Sequence, residues 1–300
     1  MTTASVLGSG DEPIALDSAV SLVAPAAPVR VPTQRRYLMC RPTHFTVRYA
    51  INPWMDPSQP VDTERAVAQW TELRDTYERL GHTVELIDPQ PDLPDMVFAA
   101  NAGTVIGGRV LGARFRSTER APEAEFYRRW FVEHGYRDVI MPTRTNEAEG
   151  DLVWTGTVLL AGTGFRTDPA AHAEAQEALG VPVISLQLVD PRYYHLDVAL
   201  FVLDDRAARP LVAYYPEAFS PGSRRVLQRL FPDAVIATEA DAACLGLNAV
   251  SDGHHVVLPV EATNLAAQLA DRGFDPIPVD ISEIRKSGGG PKCCTMELRD

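Results

Sequence analysis

Close to the C-terminus the chain reads Lys286-Ser287-Gly288-Gly289-Gly290-Pro291-Lys292-Cys293-Cys294. Consecutive glycines let a backbone take angles closed to other residues and approach a bound molecule. A thiol just after such a loop can face a pocket, and a neighbouring lysine favours the reactive thiolate. The segment therefore reads as a nucleophile loop. Cys293, directly after Gly-Pro-Lys, is the expected nucleophile, and Cys294 is its competitor. A second stretch, Tyr194-His195-Leu196-Asp197-Val198, places an imidazole two residues before a carboxylate. At the entry to an extended strand both side chains would share one face, which suits a general acid/base beside an anion that holds a cationic substrate. The other histidines read as surface or packing residues.

Two further clusters carry acids and amides. Asn146-Glu147-Ala148-Glu149-Gly150-Asp151 precedes an apolar strand, with Glu149 and Asp151 alternating onto one face. Asp95 and Asn101 bracket the apolar segment Met96 to Ala100, which reads as a strand. No HExxH, GxxxxGK[ST] or GxSxG pattern occurs, so the expectation is no metal, no cofactor and no serine nucleophile. A thiol, an imidazole and several carboxylates together imply covalent catalysis at an electrophilic carbon. Buried carboxylates need positive partners, which favours a cationic electrophile over a neutral peptide.

The elements that must position these groups form a repeat. Helices end at Gly81, Gly135, Gly180, Phe231 and Gly273, and each is followed by a short strand; glycine just past a helix supplies its left-handed cap. Trp70, Leu73, Tyr77 and Leu80 recur at helical spacing on one face. Asp168-Pro169 and Ser220-Pro221 read as helix starts. Hairpins with glycine turns lie between, at 101–115, 151–163 and 248–259, with a longer version at 198–215. The unit is thus ββαβ, repeated five times at a spacing of roughly 40–55 residues. The expectation is an α/β fold, a five-bladed α/β propeller with pseudo-fivefold symmetry and a central channel. Residues 35–300 would form a single catalytic domain behind a disordered tail, 1–34.

Composition narrows the class. In 300 residues with a formal charge of −12, no basic stripe marks a nucleic-acid binder. Four cysteines without a paired pattern fit a reducing, cytoplasmic setting. No apolar run reaches the about 18 residues of a membrane span. The N-terminal segment lacks the basic region of a signal peptide and is interrupted by Asp11, Glu12 and Asp17. The expected partner is a small cationic molecule, with neither nucleic acid nor membrane. A homo-oligomer is left open.

Taken together, Gly-Gly-Pro-Lys-Cys293, His195-Leu-Asp197, Glu149-Gly-Asp151 and Pro94-Asp95-Met-Val-Phe98 followed by Asn101 resemble motifs of the guanidino-group-modifying superfamily. That superfamily includes arginine deiminase, dimethylarginine dimethylaminohydrolase and the amidinotransferases. The resemblance spans about residues 36–300 and implies the same five-bladed fold. It implies Cys293 as nucleophile, His195 as general acid/base, and Glu149 with Asp197 on the guanidinium nitrogens. The acidic motif is shorter than usual, which leaves Glu147 as the alternative to Glu149. Asp95 and Asn101 would grip other parts of the substrate, Arg166 its carboxylate with help from Arg120, and Asn52 would line the rim. Asn101 stands where many members have aspartate. With Ile51-Asn52-Pro53-Trp54-Met55, it makes the chain most similar to the arginine dihydrolase branch, which takes arginine to ornithine, ammonia and carbon dioxide. Dimethylarginine hydrolysis, amidinotransfer and a non-catalytic binding module are the alternatives.

Overall fold

The structure, a computed structural model, describes residues 29–206 and 209–300. Five three-stranded sheets share one plan: an antiparallel pair, then a third strand parallel to the second. The parallel strand must be reached by a crossover, and a helix supplies it each time. β1 (Arg36–Cys40), α1 (Thr63–Arg79) and β2 (Thr83–Ile87) make most of the first sheet. The second holds β3 (Gly103–Ile106), β4 (Arg109–Gly112), α2 (Glu123–Glu133) and β5 (Asp138–Ile140). The third holds β6 (Leu152–Trp154), β7 (Leu159–Thr163), α3 (Ala170–Leu179) and β8 (Val183–Gln187). The fourth holds β9 (Leu200–Asp204), β10 (Leu211–Tyr214), α4 (Pro221–Leu230) and β11 (Val235–Ile236), followed by the short α5 (Glu239–Ala243). The fifth holds β12 (Val250–Ser251), β13 (His255–Pro259), α6 (Thr263–Asp271) and β14 (Asp275–Val279). After α7 (Ser282–Arg285) the chain returns as β15 (Met296–Glu297), which pairs antiparallel with β1 and completes the first sheet. The first and last strands among the described residues thus share a sheet, and the Cys293 loop is anchored by β1.

First strands of successive sheets are neighbours: β15 lies against β3, β6 against β9, and β9 against β12. The helices pack outside. Trp70, Leu73 and Tyr77 of α1 are fully buried, as their spacing predicts. Ser220 caps α4 by accepting from Ser223 N. Asp168 does not cap α3: that helix starts at Ala170 without a side-chain cap, and it is the Asp168 carbonyl that accepts, from Ala171 N at 2.9 Å. Among the described residues no helix is long and apolar enough to cross a membrane.

Two expectations are corrected. Of the proposed tail, residues 1–28 lie outside the described residues, but Arg30, Thr33 and Gln34 contact the fold. Arg30 stacks 4.3 Å over the Phe274 ring and Thr33 N donates to Asp252 O at 2.7 Å. The motif segments are also not strands. Pro94–Val97, Ala99–Asn101, Ala148–Gly150 and Leu196–Val198 are single 3-10 turns that lead into β3, β6 and β9. Ala102 N to Ala99 O, Asp151 N to Ala148 O, Ala199 N to Leu196 O, Asn248 N to Leu245 O and Thr295 N to Lys292 O close five such turns, at 2.9–3.0 Å. Each precedes the first strand of a sheet, and the chemistry of the chain sits in these turns.

Candidate active site

Cys293 lies in the last of these turns, 1% exposed. The three glycines before it are each required by a close approach. A Cβ on Gly288, whose φ is +86°, would stand 2.8 Å from Asn52 Oδ1; one on Gly289 would strike the Phe98 ring; one on Gly290 would lie 2.9 Å from Asn248 Oδ1. The Cys293 thiol donates to Asp197 Oδ2 at 3.3 Å and accepts from Asn248 Nδ2 at 3.2 Å. Asn248 Oδ1 accepts from Gly290 N and Cys293 N, at 2.8 and 3.0 Å, so one amide holds both the loop and the sulfur. Burial, then the Asp197 carboxylate, push the thiol well up. Burial raises Asp197 to about 7, against the nearby Lys292 and the bonds from Cys293 and Asn248. Burial thus favours the protonated form of both groups, and a cation beside them would favour releasing the proton.

His195 is oriented by Glu147, not Glu149. Its Nε2 is 2.7 Å from Glu147 Oε2. Because a carboxylate only accepts, this fixes the proton on Nε2 and leaves Nδ1 for chemistry. Arg166 Nη1 donates to the same oxygen at 2.8 Å, and Arg116 N donates to Oε1 at 3.0 Å. Burial would raise Glu147, yet Arg166 and His195 hold it well below the usual carboxylate range. Glu149, expected on the guanidinium, points elsewhere. Ala148 between them takes a left-handed φ of +49°, which throws the two acids apart. Lys292 Nζ bonds Glu149 Oε2 at 2.6 Å, Glu297 N donates to the same oxygen at 3.1 Å, and Arg299 donates to Oε1. Both of its oxygens are occupied by the protein. Asp151 likewise turns inward: Oδ1 accepts from Leu196 N at 3.1 Å and Oδ2 from Thr167 N at 3.2 Å. It braces the His195 turn.

A pocket of about 220 Å³ is walled by Ile51, Asn52, Asp95, Phe98, Asn101, Arg120, Arg166 and Tyr194. Its lining of amides, a carboxylate and two guanidinium groups suits a small polar molecule. Phe98 in its wall and Cys293 meet at Gly289, where an added Cβ would lie 3.1 Å from Cys293 Cβ. Asn101 and His195 meet at Gly150, where a Cβ would lie 2.4 Å from Asn101 Nδ2 and 3.1 Å from His195 Nδ1. Asn101 Nδ2, His195 Nδ1 and Asp197 Oδ1 are all buried without a protein partner. Unpaired buried polar atoms are costly, and a ligand or an ordered water between these turns would supply the missing bonds.

The arginines differ. Arg120 is committed to the protein: Nε and Nη2 pair with Glu123 at 3.0 and 2.8 Å, Nη1 donates to Asn101 Oδ1 at 2.8 Å, and Nη2 reaches Asp95 O at 3.2 Å. It orients Asn101 rather than gripping a ligand. Arg166 uses two bonds, to Glu147 and to Ile51 O at 2.8 Å, and keeps donors free. Asp95 accepts from Tyr49 Oη at 2.7 Å and Ser287 Oγ at 3.1 Å. Asn52 fastens the covering loop by donating to Ser287 O at 3.0 Å. Cys294 is fully buried, and burial raises its thiol. Sequence reasoning missed Asn248. Its signal was its register: it closes its turn at the place that Ala102, Asp151 and Ala199 occupy in theirs.

Residues 41–300 match the family model described as N,N dimethylarginine dimethylhydrolase, eukaryotic. The chain belongs to this family. Its membership also places it in the guanidino-modifying superfamily that the motifs resembled. An N(G),N(G)-dimethylarginine dimethylaminohydrolase of Mycobacterium tuberculosis is 53% identical over 283 residues, covering 94% of this chain and 92% of that protein. The bifunctional arginine dihydrolase/ornithine cyclodeaminase ArgZ of Synechocystis is 36% identical over 88% of this chain, which spans 38% of that longer protein. The solved N-terminal domain of ArgZ, a cysteine-to-serine mutant bound to substrate, superposes with a TM-score of 0.83 at 34% identity, covering 89% of this chain and 99% of that one.

Proposed function

We propose that this protein hydrolyses the guanidino group of free arginine through a covalent adduct on Cys293, and that it carries the reaction on to ornithine. The five sheets are read as blades of a five-bladed propeller, with residues 35–300 as one catalytic domain and the turns before each first strand meeting at its axis. The guanidinium cation beside Asp197 favours transfer of the thiol proton to His195 Nδ1, so that Cys293 becomes the thiolate that attacks the guanidinium carbon. His195 Nδ1 gives a proton to the departing ammonia, leaving a thiouronium. It then takes one from the attacking water, and the carbon–sulfur bond breaks to release the ureido product and the thiolate. Glu147 holds the imidazolium that forms in between. Arg166 is the residue for the substrate carboxylate, since a guanidinium with free donors matches it bidentately.

The observation that carries the substrate choice is the Asn101 amide. Arg120 takes its oxygen, so the unpartnered Nδ2–H group stands beside His195 Nδ1. A donor there complements a carbonyl oxygen and is poorly matched to a doubly methylated nitrogen. It would hold the ureido oxygen of citrulline for a second attack, in which a second ammonia leaves and the carbamate formed by water loses carbon dioxide. Similarity to the dihydrolase domain of ArgZ supports this reading. Hydrolysis of dimethylarginine is the second reading, favoured by the 53% identical mycobacterial relative. Incubation with arginine, citrulline and asymmetric dimethylarginine, with products resolved by mass, separates them. Ornithine from arginine is expected. Dimethylamine from dimethylarginine with arginine untouched would replace this reading by the second.

A further inference from the structure

Away from the pocket, the start of β13 and the start of β14 bring together His254, His255 and Asp275, the one cluster of its kind among the described residues. We propose that these three residues form a binding site for a divalent ion of the zinc class. One ligand atom from each lies within 4.8 Å of the others. The sheet sets this spacing: His255 and Asp275 are register partners in the parallel β13–β14 ladder, and Asp275 N donates to His254 O at 2.8 Å. The two imidazoles stand 4.6 Å apart, edge to face.

The surroundings are those of a built ligand set. His255 Nδ1 is 2.7 Å from Asp252 Oδ2, which fixes the proton there and leaves the Nε2 lone pair outward. A carboxylate behind a ligating histidine is the usual support of a metal site and raises the basicity of the ring. Asp252 is itself 2% exposed, held by His254 N and His255 N at 2.8 and 2.7 Å. His254 Nδ1 is buried and has no partner, the unmet bond that an ion would supply. Two nitrogens and one carboxylate suit zinc, cobalt or nickel rather than calcium or magnesium, which prefer oxygen shells. Three protein ligands leave a fourth position for water. A bound ion would tie the β12–β13 turn to β14, so its expected effect is on the stability of the fifth sheet.

The test is calorimetric titration of tag-free, chelator-treated full-length protein with zinc chloride, in a Cys293→Ser background so that the pocket thiol does not compete. One equivalent is expected to bind, and the ion should raise the melting temperature. His255→Ala and Asp275→Asn should each weaken binding at least tenfold, and Asp252→Asn about 10–100-fold. Asp275 is exposed, so its variant tests the site even if the histidine variants fold poorly. Absence of binding at millimolar zinc would overturn the proposal. So would an unchanged affinity in Asp275→Asn together with a His254→Ala/His255→Ala variant that melts normally without metal.

Discussion

Glu147 and Glu149 stand two residues apart in one turn, both buried and both ionised, yet they serve opposite sides of the molecule. Glu147 meets an imidazole whose second nitrogen is free, and the pocket-lining Arg166. Glu149 faces a second cavity, lined also by Arg35, Asp197, Lys292, Glu297 and Arg299. There carboxylates meet permanent cations: Glu149 with Lys292 and Arg299, Glu297 and Asp205 with Arg35. The acids of that side are neutralised within the protein and hold the C-terminal strand to the N-terminal one. On the pocket side, a donor of Asn101 and a nitrogen of His195 are without partners. Acid content does not distinguish the two regions. The kind of group left unmet does: an amide donor and an imidazole nitrogen on the pocket side, against Arg35 Nε, Tyr37 Oη and Arg299 Nε around the second cavity.

Substitutions on the two sides should therefore part company. Cys293→Ser should abolish turnover, by at least about 10⁴-fold, with the fold intact; Cys294→Ser should retain it. Loss of turnover in Cys294→Ser alone would reverse the assignment of the nucleophile. Glu147→Gln should lower kcat by about 10²–10⁴, the range for a residue that orients a catalytic histidine. Asn101→Asp replaces the free donor by an acceptor, so citrulline should accumulate from arginine while ornithine formation falls about 10²–10³-fold. Equal ornithine yield would remove the amide from the account. Glu149→Gln leaves Lys292 and Arg299 without their shared anion and should cost on the order of 3 kcal/mol in denaturant unfolding, with kcat changed less than tenfold.

The smallest effect is on the pH dependence of stability. Asp197 is raised by burial from 3.8 to about 7 in the folded chain. Between those values the folded chain binds a proton that the unfolded chain has released, so stability is full near pH 4 and falls as pH rises toward 7. Asp197→Asn removes that slope. The variant's gain over the parent should be larger at pH 8 than at pH 4, and an equal gain at both would mean that Asp197 is not held protonated.

Much of this was legible in the chain. The helix–strand order, the glycine stops and the glycine turns carried the ββαβ plan, because each has a local cause. The Gly288-Gly289-Gly290 run announced a close approach, and the structure supplies a different neighbour for each glycine. Less was legible at the turns. A period-2 reading put His195 with Asp197, and Glu149 with Asp151, on common faces of strands. The 3-10 turns break that period, which is why Glu149 and Asp151 both leave the pocket. Glu147 was open only as an alternative, since nothing local tells which acid a distant histidine and Arg166 will choose. Asn248 carries no motif; only its place in the repeated turn distinguishes it.

The central claim is a covalent bond between Cys293 and the guanidino carbon. Arginine mixed with the enzyme, quenched in acid within a turnover and digested for mass spectrometry tests it directly. A peptide containing Cys293 should carry the mass of arginine less ammonia, and Glu147→Gln should increase its yield by slowing its hydrolysis. Turnover without any such adduct, or an adduct on Cys294 instead, would contradict the account.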